Sequence, residues 1–252
     1  MTRGTHAGRW IWPDYPAVKT AVRLLIFRTY AEELKTLDGR HLAIGLLSTW
    51  VVGIGRWWED PRASLLQHLG IGSIIYVLAL SLFLWLVLWP VNPKNWSYFN
   101  VLTFVSLTSP PAMLYAIPVR HGLDLRTAQD VRLWLLAIVA TWRILLLGFY
   151  LRRGAGLHGP RQVVALLFPL GLILFALTAL NLEKVVFSFM GIIGQEARSV
   201  NDAAYGVLFF LSMLCTVMIL PLFVGYVVIS VRALRLKYGQ SKETRVENKE
   251  ED

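Results

Sequence analysis

The chain has 252 residues and a formal net charge of +9, with 56% apolar and only 16% charged residues. Soluble proteins average roughly 45–50% apolar and about 25% charged residues, and here the apolar residues fall in long runs, so composition argues against one soluble core. The single cysteine, Cys215, excludes an intrachain disulfide and a cysteine-based metal cluster. The positive charge is then explained by membrane orientation, and we expect no nucleic-acid partner.

Residues 1–40 form the predicted N-terminal region. Within it, apolar side chains recur at helical spacing from 17 to 37, and basic residues such as Arg23 and Arg28 lie among them. A basic amphipathic helix of this kind is typical of the headgroup plane of a bilayer. We therefore predict an interfacial amphipathic helix over 17–37; the alternative is a helix that packs on other cytoplasmic protein.

Six segments are predicted to cross the membrane, since about 20 apolar residues are needed to span the hydrocarbon core. The second contains no charged residue, whereas the first is short enough to fit either a span or a re-entrant helix. The fold class is therefore an all-α polytopic membrane bundle in a transmembrane domain of residues 41–231, with five spans as the alternative to six. The predicted spans are 41–56, 69–89, 101–118, 131–151, 162–182 and 203–231.

Lys and Arg are distributed unevenly between the two sides of this topology. With six spans, the side that holds the N-terminal region, Lys94, the loop with Arg161 and the C-terminal segment carries more than twice the basic residues of the other side. The positive-inside rule therefore places both termini in the cytoplasm of a multi-pass cell-membrane protein. Residues 232–252 are highly charged and lack apolar periodicity, which predicts a disordered cytoplasmic tail.

Arg143 lies at the centre of the fourth predicted span. A guanidinium at that depth costs at least ~2.5 kcal/mol on insertion scales, so it requires partners or a function. It precedes the end of the span at Leu151 by about 12 Å of helix, which is too far for the side chain to reach water easily.

The third predicted span is interrupted near its midpoint by two consecutive prolines, which remove two amide donors and free the carbonyls of Ser106 and Leu107. Residue counting places this break at the same depth as the arginine. Because unpaired backbone is costly in lipid, we expect the freed carbonyls and the neighbouring hydroxyls to bind the guanidinium. The candidate intramembrane polar site therefore contains Arg143, Ser106, Thr108, Ser109, Pro110 and Pro111.

Two hypotheses compete for this site. In the first, which we favour, Arg143 is a structural strut that donates hydrogen bonds to the break. In the second, the half-helix that begins at Ser109 directs its positive end at an anionic group in a polar pocket. Asn181 and Glu183, near the end of the fifth span, are weaker candidates, since charged residues at a span end usually mark the water boundary.

The function favoured by the sequence is that of a non-enzymatic membrane component that acts through helix packing with partners. The alternative is a small-solute transporter or permease subunit with an anion site at Arg143, and a weaker alternative is a lipid-acting membrane enzyme. The scattered histidines predict no metal site, and no cofactor is expected. The expected partners are the lipid bilayer and other membrane proteins, and Trp142 is predicted to pack between helices.

Overall fold

A computed structural model describes residues 16–57, 64–117, 125–179, 210, 213–214 and 216–236. These residues form helices and connecting turns, with no strand among them. The helices are α1 (Pro16–Leu25), α2 (Ala31–Lys35), α3 (Gly39–Trp57), α4 (Leu65–His68), α5 (Ile71–Leu88), α6 (Tyr98–Leu107), α7 (Leu125–Arg153), α8 (Pro160–Ala179) and α9 (Thr216–Leu236). Two short 3-10 helices, Trp89–Val91 and Pro110–Ala116, follow α5 and α6.

Three helices of the described chain are long and apolar enough to cross a membrane: Ile71–Val91, Leu133–Arg153 and Thr216–Leu236. The first two confirm the predicted helices at 69–89 and 131–151. The third begins later than the predicted span 203–231, whose first residues lie outside the described chain, and it continues to Leu236. The start of the predicted tail, from residue 232, is therefore helical, and the rest of the tail lies outside the description.

Three of the other predicted spans contain helices that are not among these three long apolar ones. α3 covers 41–56 as a helix, and α8 covers most of 162–182, but its apolar part, Pro160–Ala176, is shorter than the three long helices. The segment 101–118 is divided into α6 and the 3-10 helix Pro110–Ala116, because neither proline can donate an amide to the preceding turn. The count of six spans therefore stays a prediction.

α3 lies at the centre of the bundle and packs against α1, α4, α5, α6 and the 3-10 helix Pro110–Ala116. Two of its glycines make this packing close. A Cβ atom placed on Gly45 would overlap the side chain of Ser106 on α6, and one placed on Gly53 would lie 2.8 Å from the carbonyl oxygen of Gly70. Small residues at helix contacts let backbones approach closely, which is how helices associate where lipid removes the hydrophobic drive.

The connections at one end of the bundle meet. The amide of Lys94, between α5 and α6, donates to the carbonyl of Ala155, between α7 and α8, over 2.9 Å. α9 runs antiparallel to α8, since Gly171 lies beside Ile219 while Gly225 lies beside Val164. The C-terminal ends of α5, α7 and α9 therefore share one end of the bundle with the starts of α6 and α8, and we call it the basic end.

The N-terminal segment is not one helix. The helix predicted over 17–37 is divided into α1 and α2 by a turn in which Phe27 has φ +60°, a left-handed conformation that no continuing α-helix accommodates. An ion pair joins the two pieces, with Arg23 Nη1 2.6 Å from Glu33 Oε1. The segment therefore folds back on itself as a helical hairpin, and its interfacial position stays a prediction.

This hairpin is packed into the bundle. Leu24 and Leu34 are buried with side chains of α5, α6 and α7 in one apolar cluster. The indole of Trp142 donates to the carbonyl of Leu25 over 3.0 Å, and the rings of Phe27 and Phe149 meet edge to face at 5.8 Å. Trp142 is thus a helix-packing residue, as predicted, and it holds the end of α1 against the middle of α7.

Candidate intramembrane polar site

The break after α6 is built from local hydrogen bonds. α6 begins at Tyr98, where Ser97 accepts the amide of Asn100, and it ends at Leu107 ahead of the two prolines. The carbonyl of Ser106, which the sequence predicts to be freed, accepts the amide of Ser109 over 3.1 Å. The tighter 3-10 winding therefore replaces at least part of the bonding that the prolines remove.

The hydroxyl groups at the break are buried, and each has a partner close by. Ser106 donates to the carbonyl of Thr103 over 2.9 Å, and Thr108 donates to the carbonyl of Val105 over 2.7 Å. The hydroxyl of Ser109 lies 2.7 Å from that of Thr49 on α3. Bonds from hydroxyls to carbonyls of the preceding turn are the usual way in which Ser and Thr are satisfied inside a helix.

Thr49 is a residue of this site that the sequence analysis missed. It is 2% exposed, and its hydroxyl also donates to the carbonyl of Gly45 over 2.8 Å. Since only one hydroxyl hydrogen is present on Thr49, that of Ser109 completes the contact between the two side chains. The spacing of Gly45, Thr49 and Gly53 at every fourth residue was the available signal, because it predicts a stripe of small residues on one helix face.

Arg143 lies on the inward face of α7. Val139 and Leu146, one turn on either side of it, are both 0% exposed, and Tyr150 beyond them is also buried. Arg143 itself is only partly buried, and within the described chain it makes no hydrogen bond or ion pair. The described structure therefore contains no hydrogen bond between Arg143 and the hydroxyls of the break, which donate to backbone carbonyls or contact Thr49.

The segment after the break nevertheless packs against α7, the helix that carries Arg143. Ala112 of the 3-10 helix, Val139 of α7 and Val52 of α3 form a small buried apolar cluster. Arg143 follows Val139 by four residues, about 6 Å along the helix axis. The structure thus brings Pro110–Ala116 against the helix that carries the arginine, with an apolar contact between them in place of the predicted polar one.

Ionisable groups that could serve chemistry are few in the described chain. It contains no group of three His, Cys, Asp or Glu residues arranged to hold a metal ion. Asp38 and His41 form a pair at the start of α3, with 2.6 Å between Oδ1 and Nδ1. The hydrogen bond from His41 lowers the pKa of Asp38, and the same carboxylate accepts the amides of Arg40 and His41. This pair is therefore a helix cap.

Asn181 and Glu183, the weaker candidates, lie outside the described residues. Comparison with protein-family models, curated proteins and solved structures finds no match for the chain. The class of protein consequently follows from the fold itself. The described residues form helices without strands, and three of these helices have the length and apolar character of membrane spans.

Proposed function

We propose that the protein is a six-span integral membrane protein with both termini in the cytoplasm, and that it acts as a non-enzymatic membrane component through helix packing with partners. The proposal combines a membrane location, a topology and a mode of action. The first is supported by the three long apolar helices. The second is supported by the shared basic end, where the Lys94 loop and the loop after α7 meet through a backbone hydrogen bond.

The observation that carries the mode of action is the surface of α9. Large apolar side chains point outward along its length, including Val217 at 61% exposure and Leu220 at 69%. Only a narrow seam faces the rest of the bundle, where the ring of Tyr226 stacks on Phe168 at 4.4 Å and its hydroxyl donates to the carbonyl of Val87. Such a helix, anchored along one seam, has most of its circumference available to other helices.

The interior of the bundle supports a structural role. The hydroxyl groups of α6 and the break are bonded to backbone carbonyls or to Thr49, and the glycines of α3 bring the helices into close contact. Bonds to carbonyls of the preceding turn satisfy the hydroxyl donors of Ser106 and Thr108 inside the bundle, and the contact between Thr49 and Ser109 joins two helices.

A site-specific photocrosslinker in native membranes tests this function. Placed at Leu220, on the outward face of α9, it is expected to yield a discrete protein adduct. Trp134 on α7, also 69% exposed, is the matched control and is expected to yield lipid adducts. Lipid adducts alone at both positions, in protein that accumulates normally, would contradict the helix-packing function.

A second candidate, a small-solute transporter with an anion site, is favoured by the state of Arg143. Arg143 lies on the inward face of α7, one turn from Val139, which packs against Ala112 after the break, and it has no hydrogen bond in the described chain. A cation on an inward face, whose donors are not engaged by the described chain, can bind an anion. The strut hypothesis requires the N–H groups of Arg143 to donate to the break, and the described chain contains no such hydrogen bonds.

A liposome flux assay separates the two candidates. For the transporter, Arg143→Met is expected to abolish flux of small organic anions at an unchanged protein level, and Arg143→Lys to reduce it. Arg161→Lys, at the exposed basic end, is the control variant and leaves flux intact. Wild-type protein that passes no organic anion, or Arg143→Met protein that transports as well as wild type, would rule the transporter out.

A further inference from the structure

The basic end of the bundle exposes a group of unneutralised cations. Their side chains are all exposed, and within the described chain they form no ion pair. Four segments that meet at the basic end carry these cations. They are the turn after α5, the end of α7, the start of α8 and the end of α9. The six residues are Lys94, Arg152, Arg153, Arg161, Arg232 and Arg235.

The described segments around these cations contain no acidic residue. Residues 89–100, 151–162 and 229–236 carry neither Asp nor Glu. The acids of the described N-terminal segment are already engaged, since Glu33 pairs with Arg23, Glu32 with Lys35, and Asp38 with His41. The positive charge at the basic end is therefore uncompensated by the described chain.

Aromatic side chains lie at the same level as the cations. Trp89, at the end of α5, is 64% exposed, and Trp96 is held in place because its indole donates to the carbonyl of Trp85 over 3.1 Å. Indole rings at the end of a membrane helix mark the depth of the lipid headgroups. The guanidinium of Arg153 lies over the ring of Phe149, with 5.5 Å from Cζ to the ring centroid, so its position is fixed.

From this arrangement we infer that the basic end binds anionic phospholipid headgroups, with its exposed guanidinium groups, those of Arg152 and Arg161 among them, as contacts to the lipid phosphate. The inference rests on the proposed membrane location. Exposed cations at headgroup depth, with no counter-charge from the described chain, are complementary to an anionic leaflet. Arg is suited to phosphate because its planar donors bind two oxygens at once.

The test measures lipid binding to the purified full-length protein by native mass spectrometry. Phosphatidylglycerol is the anionic probe and phosphatidylcholine the zwitterionic one. Each cation near an anionic surface contributes roughly fivefold in affinity, so Arg152→Gln/Arg161→Gln is expected to bind phosphatidylglycerol about 25-fold more weakly. Arg126→Gln/Arg132→Gln, near the opposite end of α7, removes the same charge and is expected to change affinity less than about twofold.

Several results would overturn the inference. The first is equal affinity for the two lipids, and the second is an equal loss of phosphatidylglycerol affinity in the Arg126/Arg132 control. The third is complete displacement of the bound lipid by millimolar inorganic phosphate, which would indicate a soluble phosphate ligand. Arg152→Lys/Arg161→Lys keeps the charge and is expected to retain most of the binding, which separates a loss of charge from misfolding. Flotation with vesicles separates this inference from the proposed membrane location. Protein that floats with phosphatidylcholine vesicles but shows no preference for the anionic lipid contradicts this inference alone. Protein that floats with neither kind of vesicle contradicts the membrane location.

Discussion

The hydroxyl of Thr49 lies 2.7 Å from the hydroxyl of Ser109, and through this contact α3 is joined to the first residue of the broken segment. Both side chains are buried, at 2% and 4% exposure. The pair lies where α6 has ended and the 3-10 helix has begun, so it fixes the break against the central helix of the bundle. A polar contact between helices thus stabilises the irregular backbone.

Thr49→Val is expected to destabilise the protein, because it leaves the hydroxyl of Ser109 buried without its partner. Thr49→Ser keeps the hydroxyl and is expected to cost less. In a double-mutant cycle with Ser109→Ala, measured by thermal unfolding in detergent, we expect a coupling of about 0.6–1.7 kcal/mol, the range of hydrogen bonds between membrane helices. Additive effects would show that the two hydroxyls do not interact.

Gly45→Ala tests the close contact between α3 and α6. The new Cβ would lie 2.9 Å from Cβ of Ser106 and 3.0 Å from the amide nitrogen of Leu107, which requires the helices to separate. Overpacking of this kind costs about 1–3 kcal/mol. Gly148→Ala is the matched control, since its Cβ meets only Leu166 at 3.5 Å. Equal unfolding temperatures for the two variants would contradict the packing.

Trp142→Phe removes the hydrogen bond to the carbonyl of Leu25 while retaining an aromatic ring. We expect a loss of about 1 kcal/mol and faster amide hydrogen exchange in α1, because the end of that helix is no longer held against α7. Trp134→Phe, on the outward face of α7, is expected to leave exchange in α1 unchanged. If α1 exchanges alike in both variants, the indole does not anchor the hairpin.

Acid pH is expected to weaken the start of α3. The pKa of Asp38 is lowered by the hydrogen bond from His41, so the carboxylate stabilises the folded chain above the ordinary Asp pKa, about 3.9. That contribution is lost as pH falls through the lower folded-state value. In Asp38→Asn this part of the pH dependence should vanish from a series of unfolding temperatures recorded below about pH 5. An unchanged profile would mean that the pair does not contribute.

The elements that the sequence predicts well are those with one dominant signal. The helices at 69–89 and 131–151 follow from long apolar runs, which lipid and protein interior both accept. The break at Pro110 follows from the missing amides of two prolines. In each case the structural feature is determined by residues that are neighbours in the sequence, so it can be predicted from the sequence alone.

The partners at the site could not be predicted in the same way. The amphipathic pattern over 17–37 contains no proline or glycine, so nothing in it indicates the turn at Phe27, which arises from packing of the hairpin on α7. The hydroxyls of Ser106 and Thr108 were assigned to Arg143 because it lies at their depth. In the structure both hydroxyls donate to carbonyls one turn earlier, and within the described chain neither is bonded to Arg143.

The most direct test of the account is the accessibility of engineered cysteines in intact membrane vesicles, in a Cys215→Ala background. With a membrane-impermeant maleimide, Lys94→Cys and His158→Cys at the basic end should react from the same, cytoplasmic side. Leu82→Cys on α5 and Leu145→Cys on α7 are 46% and 57% exposed in the folded chain, yet should react only after detergent is added. Reaction at Leu82→Cys and Leu145→Cys in intact vesicles at the rate of Lys94→Cys would contradict a bundle embedded in the bilayer.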